Sequence, residues 1–365
     1  MRALVVMSKF VAGGAETTAM RLIEALHGNA HEFVAVAVKG GGELAGPLRQ
    51  IDAVVYDGLA KFKCDPLGPC RLARIIRRHK IDAVICITAP RDALFYSTLA
   101  PILACRCIPT ICWCHSRPEG QSGNFVPRLR RYRKMGLLQS VVCITRAQRR
   151  MLVDLGLSRR HTPLIRNGVD TAAFTDAKPA DLGAPAGCKT IVQVANVMSD
   201  KDFETLIAAG RLLRRKRDDF RIVLAGRRTD SPEMLARIKD ADLSDTIICA
   251  GHRDDIPGVL AAADAFVLST KGEVSSIAVL EAFASDTPVA VSDIPAFDEM
   301  LIDGQEGLLA APGDPQGLAD AMEKLLDDKS LTAKLTANAR RRLEQYELAE
   351  MVRRFDRLLR GITRQ

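Results

Sequence analysis

Short apolar segments alternate along the whole chain with longer segments whose apolar residues recur at helical spacing. The short segments have the length and the near-continuous apolar character of strands that are buried on both faces. In the first half they are RALVVMS (2–8), FVAVAV (33–38), DAVICI (82–87), TICWC (110–114) and SVVCIT (140–145). In the second half they are TIVQVA (190–195), RIVLAG (221–226), TIICAG (246–251), AFVLST (265–270) and TPVAVS (287–292). The pattern predicts an α/β protein with two doubly wound, Rossmann-like domains.

Two further segments indicate the limits of these domains. Residues 176–188, DAKPADLGAPAGC, are rich in Pro, Gly and Ala without a hydrophobic period, which is typical of a linker. The chain ends in a helical pattern whose apolar residues share one face, namely Leu348, Met351, Val352, Phe355, Leu359 and Ile362. We therefore predict a first domain over 1–175, a linker over 176–188, a second domain over 189–342, and a final helix over 343–365 that packs back on the first domain.

The composition is that of an ordinary globular enzyme. The 365 residues are 47% hydrophobic and 26% charged, and no apolar stretch approaches the ~18 residues that a membrane-spanning helix needs. The start, MRALVVMSKF, lacks the basic, apolar and small-residue regions of a secretion signal. The ten cysteines lack the regular spacing of a disulfide framework. We therefore expect a cytoplasmic protein with reduced thiols.

The net charge of +8 is unevenly distributed. Residues 1–180 carry 27 Lys and Arg against 13 Asp and Glu, or +14, and residues 181–365 carry 25 against 31, or −6. Basic clusters at 71–80 and 128–134 indicate an anionic partner for the first half, such as a membrane surface, although solvated helix faces are the alternative. We expect no nucleic-acid partner, because no zinc finger, RNA-recognition motif or basic zipper occurs.

The stretch GEVSSIAVLEAF (272–283) places two glutamates, Glu273 and Glu281, around a strand, loop and helix sequence. Ser275 or Ser276 can cap the helix, and Glu281 then lies about five residues into it. The first turn of a helix exposes unpaired N–H groups and suits a phosphate, while carboxylates on either side can accept hydrogen bonds from hydroxyl groups. The arrangement fits a nucleotide sugar. The alternative is that Glu281 is an ordinary solvent-facing helix residue.

Three other segments carry candidate chemistry. The pair Gly13-Gly14 opens a helix after the first strand, where backbone N–H groups can approach a ligand closely, although the spacing is not that of a dinucleotide binder. Lys201 lies in a strand-to-helix loop of the second domain and could neutralise a departing diphosphate; the alternative is a surface lysine. The segment CRCIPTICWCH (105–115) raises the question of a metal site, but its thiols are better interpreted as small buried hydrophobic groups.

Six segments together resemble, in order and spacing, family four of the retaining glycosyltransferases, the large GT-B group that uses nucleotide-sugar donors. They are GGAE (13–16), RNGVD (166–170), SDKDFETLIAA (199–209), AGHRDDIPGVLAAADAFVLS (250–269), the stretch with the two glutamates, and DGQEGLLAAPGDPQGLADAM (303–322). The resemblance runs over nearly the whole chain. It implies the GT-B fold, in which an acceptor-binding first domain and a nucleotide-sugar-binding second domain face a central cleft.

The resemblance implies roles for residues of the second domain. Glu273 would hold hydroxyl groups of the donor sugar and Glu281 the ribose. The backbone amides around Ser276 and Ile277, together with the adjacent Ser275, would bind the phosphates. Lys201 would pair with the departing diphosphate.

The remaining implied positions extend the donor site at both ends. His252 and Arg253 fall where the base would lie. In the first domain, Gly13 and Gly14 would lie near the donor phosphates or the acceptor, and His115 near the donor sugar. Lys201, Glu273 and His115 are the candidate catalytic residues.

The sequence departs from the family pattern at two positions. Asn196 lies at a position where the family often has a second phosphate-binding Arg. Val274 follows the first glutamate, where the family usually has Gly. No acidic pair marks a nucleotide-bound metal, since Asp254-Asp255 reads as the first turn of a helix. We therefore expect no metal and no other cofactor.

The resemblance implies a retaining enzyme that moves a sugar from a UDP- or GDP-linked donor to a glycan or lipid-linked acceptor. The process would be cell-surface polysaccharide or lipopolysaccharide synthesis, in the cytoplasm or at the inner face of the plasma membrane. The alternative is a GT-B relative that does not transfer, either a sugar-nucleotide epimerase or a catalytically silent glycan-binding protein.

Overall fold

The computed structural model describes residues 1–62, 65–87, 91–116 and 125–362. The chain divides into two compact units. The first is Met1–Gly168 together with the chain from Ala349 onward, and the second is Val169–Leu348. Each unit contains one six-stranded parallel sheet, which confirms the predicted pair of doubly wound domains.

The sheet of the first unit has the strand order β3-β2-β1-β4-β5-β6. Its strands are β1 (Arg2–Met7), β2 (Glu32–Ala37), β3 (Val54–Asp57), β4 (Ala83–Ile87), β5 (Thr110–Cys114) and β6 (Ser140–Cys143). The helices are α1 (Gly14–Leu26), α2 (Ala45–Gln50), α3 (Gly68–Arg78), α4 (Arg91–Leu103), α5 (Phe125–Lys134), α6 (Arg146–Asp154) and the 3₁₀ turn η1 (Arg159–His161). Strand β1 is central: Val5 is paired with Ala35 on one side and Ile85 on the other, and all three side chains are buried.

The sheet of the second unit has the strand order β12-β11-β10-β7-β8-β9. Its strands are β7 (Lys189–Val194), β8 (Phe220–Ala225), β9 (Ile247–Gly251), β10 (Ala265–Leu268), β11 (Val289–Ser292) and β12 (Leu308–Ala310). The helices are α7 (Ala172–Thr175), α8 (Phe203–Arg214), α9 (Pro232–Asp240), α10 (Ile256–Ala261), α11 (Ile277–Ala284), α12 (Pro315–Asp327), α13 (Lys329–Leu343) and the 3₁₀ turn η2 (Glu344–Tyr346). Because the strands are parallel, the loops that follow β7, β8, β9 and β10 lie at one edge of this sheet.

Two strands and two cysteines differ from the sequence prediction. The pattern indicates five strands in each half and misses β3 and β12, which are short, partly exposed edge strands. An edge strand needs no continuous apolar run, so its sequence resembles a loop. Cys105 and Cys107, expected to be buried, are exposed because they lie in the turn before β5; Cys112 and Cys114, within β5, are buried.

The last helix, α14 (Leu348–Ile362), packs on the first unit. Met351, Phe355 and Leu359 form its buried face. The Phe355 ring lies 4.2 Å, between centroids, from that of Trp113 in β5, and Asp356 is 2.7 Å from the buried His31 imidazole. The amphipathic pattern at the end of the chain therefore covers the first sheet.

The segment that the sequence presents as a linker lies against the second unit. Leu182 is buried among Val192 and Val259, and the N–H of Ala180 donates to the carbonyl of Gly258. The boundary between the two compact units lies between Gly168 and Val169. The domain limits inferred from composition remain a prediction. Within the four described ranges, no helix combines the length and the apolarity needed to cross a bilayer.

Candidate functional site

Glu281 is the fifth residue of α11, and only 7% of it is exposed. The helix begins after Ser276, whose hydroxyl accepts the N–H of Val279 (3.4 Å), so Ser276 is the cap; Ser275, beside it, is partly exposed. A solvent-facing role for Glu281 is therefore wrong. Because burying a carboxylate costs free energy, Glu281 is kept in an otherwise apolar helix only with partners that compensate the cost.

Glu273, in the loop that precedes α11, forms an ion pair with Lys201, in the loop after β7. Their side chains are only 12% and 14% exposed, so water screens the pair far less than it screens a surface pair. Lys201 is thus not a surface lysine. The structure brings together two of the residues that the sequence singles out separately.

Hydrogen bonds between two loops hold this ion pair in place. The N–H of Lys271 and the hydroxyl of Thr270 both donate to the carbonyl of Asp200, each at 2.8 Å. The N–H of Asp202 donates to the carbonyl of Ser269 (3.0 Å), and Asp202 caps α8 by accepting from Thr205. The loop after β7 is therefore fixed to the loop after β10, which aligns Lys201 with Glu273.

The start of α11 combines opposite electrostatic features. The first N–H groups of the helix, beginning at Ile277, point out of its N-terminal end and carry partial positive charge, which favours an anion. Glu273 lies before this end, and Glu281 lies about 6–7.5 Å further along the axis, given the rise per residue. The arrangement can hold a phosphate group at the helix terminus and hydroxyl groups on both sides. Gly272, buried before Glu273, donates its N–H to the Thr270 hydroxyl (3.2 Å).

Asn196 lies beside Arg227, a residue that sequence reasoning misses. The side-chain oxygen of Asn196 accepts the backbone N–H of Arg227 (2.9 Å). Gly226 makes this approach possible: its φ is 149°, and a β-carbon there would fall 2.1 Å from the Ala195 carbonyl oxygen. The signal was the sequence GRR (226–228) directly after β8, at the same edge of the sheet as Lys201.

His252 and Arg253 follow β9, at the outer edge of the same sheet. Both side chains have acidic partners: His252 is 3.2 Å from Asp254, and Arg253 donates two hydrogen bonds to Asp255. The hydrogen bond to Arg253 lowers the pKa of the Asp255 carboxyl. Strands β9 and β10 are three strand spacings apart, about 14 Å, so these residues reach a site at α11 only through an elongated ligand.

The remaining predicted residues belong to the first unit. Gly13 is the N-cap of α1 and Gly14 its first residue, as expected for a glycine pair that opens a helix. Nearby, burial raises the pKa of the Glu16 carboxyl in the first turn of α1, with its backbone N–H acting in the opposite direction. His115 follows β5, so it lies at the same edge of the first sheet as the glycine pair.

His115 is held as a neutral imidazole. Its ring lies 4.8 Å, between centroids, from that of Trp113, and burial lowers its pKa to about 3. The Nε2 atom is buried without a hydrogen-bond partner among the described residues. A neutral ring cannot serve as a phosphate-binding cation, but it can exchange a hydrogen bond with a hydroxyl group.

The described part of the chain contains no group of three or more His, Cys, Asp or Glu residues arranged to hold a metal ion. Cys112 and Cys114 lie within β5, while Cys105 and Cys107 lie in the turn before it. Burial raises the pKa of the Cys114 thiol to about 12, so it stays protonated and is a poor metal ligand.

Two Rossmann-like parallel sheets in one chain are the architecture of the GT-B fold. The structure of Anabaena HepE in complex with UDP-glucose superposes with a TM-score of 0.84, covering 99% of this chain and 100% of that one at 19% identity. The family model for glycosyl transferases group 1 matches residues 174–342, and that for Glycosyltransferase Family 4 matches residues 12–173. The chain belongs to the family-four retaining glycosyltransferases, as its motifs predict.

Two relatives of this chain are named for lipopolysaccharide core biosynthesis. The glycosyltransferase LpsE of Rhizobium meliloti is 27% identical over 327 residues, which are 88% of this chain and 88% of that protein. The mannosyltransferase LpsB of the same organism is 31% identical over 188 residues, covering 48% of this chain and 53% of LpsB.

Proposed function

We propose that this enzyme transfers a sugar from a nucleotide-sugar donor to a glycan or lipid-linked acceptor during the assembly of lipopolysaccharide or another cell-surface polysaccharide. The names of the two Rhizobium relatives support the pathway. The basic first half of the chain supports an anionic, phosphate-bearing acceptor. The single observation that carries the donor assignment is the start of α11, where Glu281 is buried and Glu273 is paired with Lys201.

In this proposal the donor spans the edge of the second sheet. Its diphosphate takes the N–H groups at the start of α11, its ribose hydroxyls bind Glu281, and its sugar hydroxyls bind Glu273. Lys201, neutralised by Glu273 before the donor arrives, turns toward the diphosphate as negative charge develops there. His252 and Arg253 are in position for the base, which is the distal part of an elongated ligand.

The family resemblance implies a substitution at C1 of the donor sugar with retention of configuration. The bond between the sugar C1 and the diphosphate oxygen breaks, and the acceptor hydroxyl oxygen bonds to C1 on the same face, so the anomeric configuration is retained. The acceptor proton passes to the departing diphosphate. Lys201 and the N-terminus of α11 stabilise the charge on that leaving group, which is the main electrostatic contribution to such a step.

Arg227 is the residue we propose to replace the absent family arginine. It lies beside Asn196, at the same sheet edge as Lys201. A guanidinium there can provide the second positive charge for the diphosphate.

A panel of UDP- and GDP-sugars tests the proposal. One donor should raise the melting temperature by mass action and be converted to a product with the donor's anomeric configuration. The substitution Glu281→Gln should mainly raise the KM for that donor, because a ribose contact is made in the ground state and the transition state alike. If no member of the panel raises the melting temperature, the proposed donor site is contradicted. Inversion of configuration would contradict the mechanism, and epimerised donor without transfer would favour the non-transferring alternative.

A further inference from the structure

Helix α4 of the first unit has an apolar face toward solvent. Phe95 and Ile102 are 43% and 50% exposed, Leu103 is also exposed, and Leu99 between them is partly exposed. These four residues, the α4 stripe, recur at helical spacing along one side of the helix. After Asp92 the helix contains no charged residue. A surface helix normally presents polar residues to water, so a continuous apolar stripe indicates that something covers it.

The α4 stripe continues onto the start of α3. The hydroxyl of Tyr96 donates to the carbonyl of Asp65 (2.8 Å), and a β-carbon added at Gly68 would fall 2.5 Å from the Tyr96 ring. The first turn of α3 therefore rests on α4 next to Phe95. Leu67, the N-cap residue of α3, is exposed at this junction. The apolar surface thus spans two helices.

Arginines border this surface. Arg74, Arg77 and Arg78 are exposed on α3, and no residue of α3 is acidic. The Arg77 guanidinium donates to the carbonyl of Leu103 (2.6 Å), which places the basic side of α3 at the far end of the α4 stripe. An apolar stripe flanked by arginines is the composition of an element that lies in a lipid headgroup layer.

We propose that the α3–α4 face docks on an anionic lipid surface, with the α4 stripe entering the headgroup region and the α3 arginines contacting lipid phosphates. The inference rests on the proposed function, since it names the surface where a lipid-linked acceptor would be met. The arginines distinguish this occupant from a second copy of the chain. In a twofold contact the same patch meets itself, so the arginines of both copies would enter one interface to which α3 contributes no acidic residue.

Cosedimentation with vesicles tests the proposal on the full chain. Phosphatidylcholine vesicles with and without phosphatidylglycerol are compared at about 0.1 M and about 1 M salt, where charges are screened beyond about 10 Å and about 3 Å. The unmodified protein should bind the anionic vesicles and keep part of its binding at high salt, because apolar insertion is not screened. The triple variant Leu67→Ser, Phe95→Ser, Ile102→Ser should bind at least about tenfold more weakly at both salt concentrations.

A matched control separates this face from exposed apolar residues in general. Met135 and Leu155 are also exposed and also belong to the basic first unit, and Met135→Ser with Leu155→Ser should leave vesicle binding unchanged. In a Phe95→Trp variant, brominated lipid chains should quench the introduced indole, while the fully buried Trp113 contributes a constant background. Absence of quenching would contradict insertion.

Two other outcomes would overturn the proposal. If the triple variant and the unmodified protein bind vesicles equally, the α4 stripe is not the lipid-binding surface. A dimer in sedimentation velocity that becomes a monomer in the triple variant, with lipid binding unaltered, would make this face a protein interface. Thermal stabilisation by the donor, measured without vesicles, should be the same in the triple variant, so failure of the donor site is distinguishable from failure of the membrane surface.

Discussion

Three charged residues mark the proposed donor site of the second unit. Glu281 is buried in an apolar helix, and Glu273 and Lys201 are held together by backbone hydrogen bonds between their two loops. The sequence predicts a cap at Ser275 or Ser276 and the position of Glu281 within α11, because capping and helical spacing are local properties. It could not predict the proximity of Lys201 to Glu273, which depends on the pairing of loops about 70 residues apart.

Lys201→Ala should lower turnover by about 10²-fold or more, because the lysine stabilises charge that develops mainly in the transition state. The matched control is Lys271→Ala: Lys271 is in the neighbouring loop but is largely exposed, with its ammonium 3.5 Å from Asp202. It should retain most of the activity. Steady-state kinetics with the best donor of the panel provide the measurement. Equal turnover in the Lys201 variant and the unmodified enzyme would exclude that lysine from the mechanism.

His115 should make the fold less stable in acid. Its pKa is about 3 in the folded protein and its ordinary value is 6.5. Between these two values the unfolded chain takes up a proton that the folded chain does not, so the free energy of unfolding falls as the pH falls. The slope from one such group is at most about 1.4 kcal/mol per pH unit.

The substitution His115→Gln isolates that contribution. Urea unfolding at several pH values should show a shallower acid loss of stability in the variant, while other groups titrate equally in both proteins. Parallel curves would show that the imidazole is protonated in the folded state as readily as in the unfolded chain.

At the scale of elements, strands with a continuous apolar run were predictable, and the edge strands β3 and β12, which lack one, were not. All ten predicted strands exist, since each sits inside a sheet or is apolar enough to show a continuous run. Val54 in β3 is exposed and Leu308 in β12 is only partly buried, so neither strand shows that signal. The amphipathic face of α14 likewise predicted a packed helix, and Phe355 against Trp113 shows what it packs on.

Helix α4 illustrates what a pattern cannot assign. Helices that are apolar on nearly every side are usually buried completely, yet Phe95 and Ile102 of α4 are exposed. The discrepancy arises because one face of α4 packs inside the first unit, while its other face has no counterpart among the described residues of the protein. That mismatch is the origin of the proposed lipid-facing surface.

At the scale of the whole molecule, the fold and enzyme class follow from ordered motifs, whereas the substrates do not. Two Rossmann-like units and the family were predictable because their segments occur in a fixed order over the whole chain. The proximity of Arg227 to Asn196 was not, since it depends on Gly226 bringing two loops together. The sugar and the acceptor depend on side chains contributed by several loops, which no single motif specifies.

The central claim is that a nucleotide sugar binds at the start of α11 with one carboxylate on each side. A crystal structure of the full chain, soaked with the donor that gives the largest thermal shift, tests it most directly. The account predicts diphosphate oxygens within about 3.2 Å of N–H groups in the first turn of α11, with Glu281 on the ribose and Glu273 on the sugar. Donor density away from this helix, or bound there with both carboxylates turned from its hydroxyl groups, would contradict it.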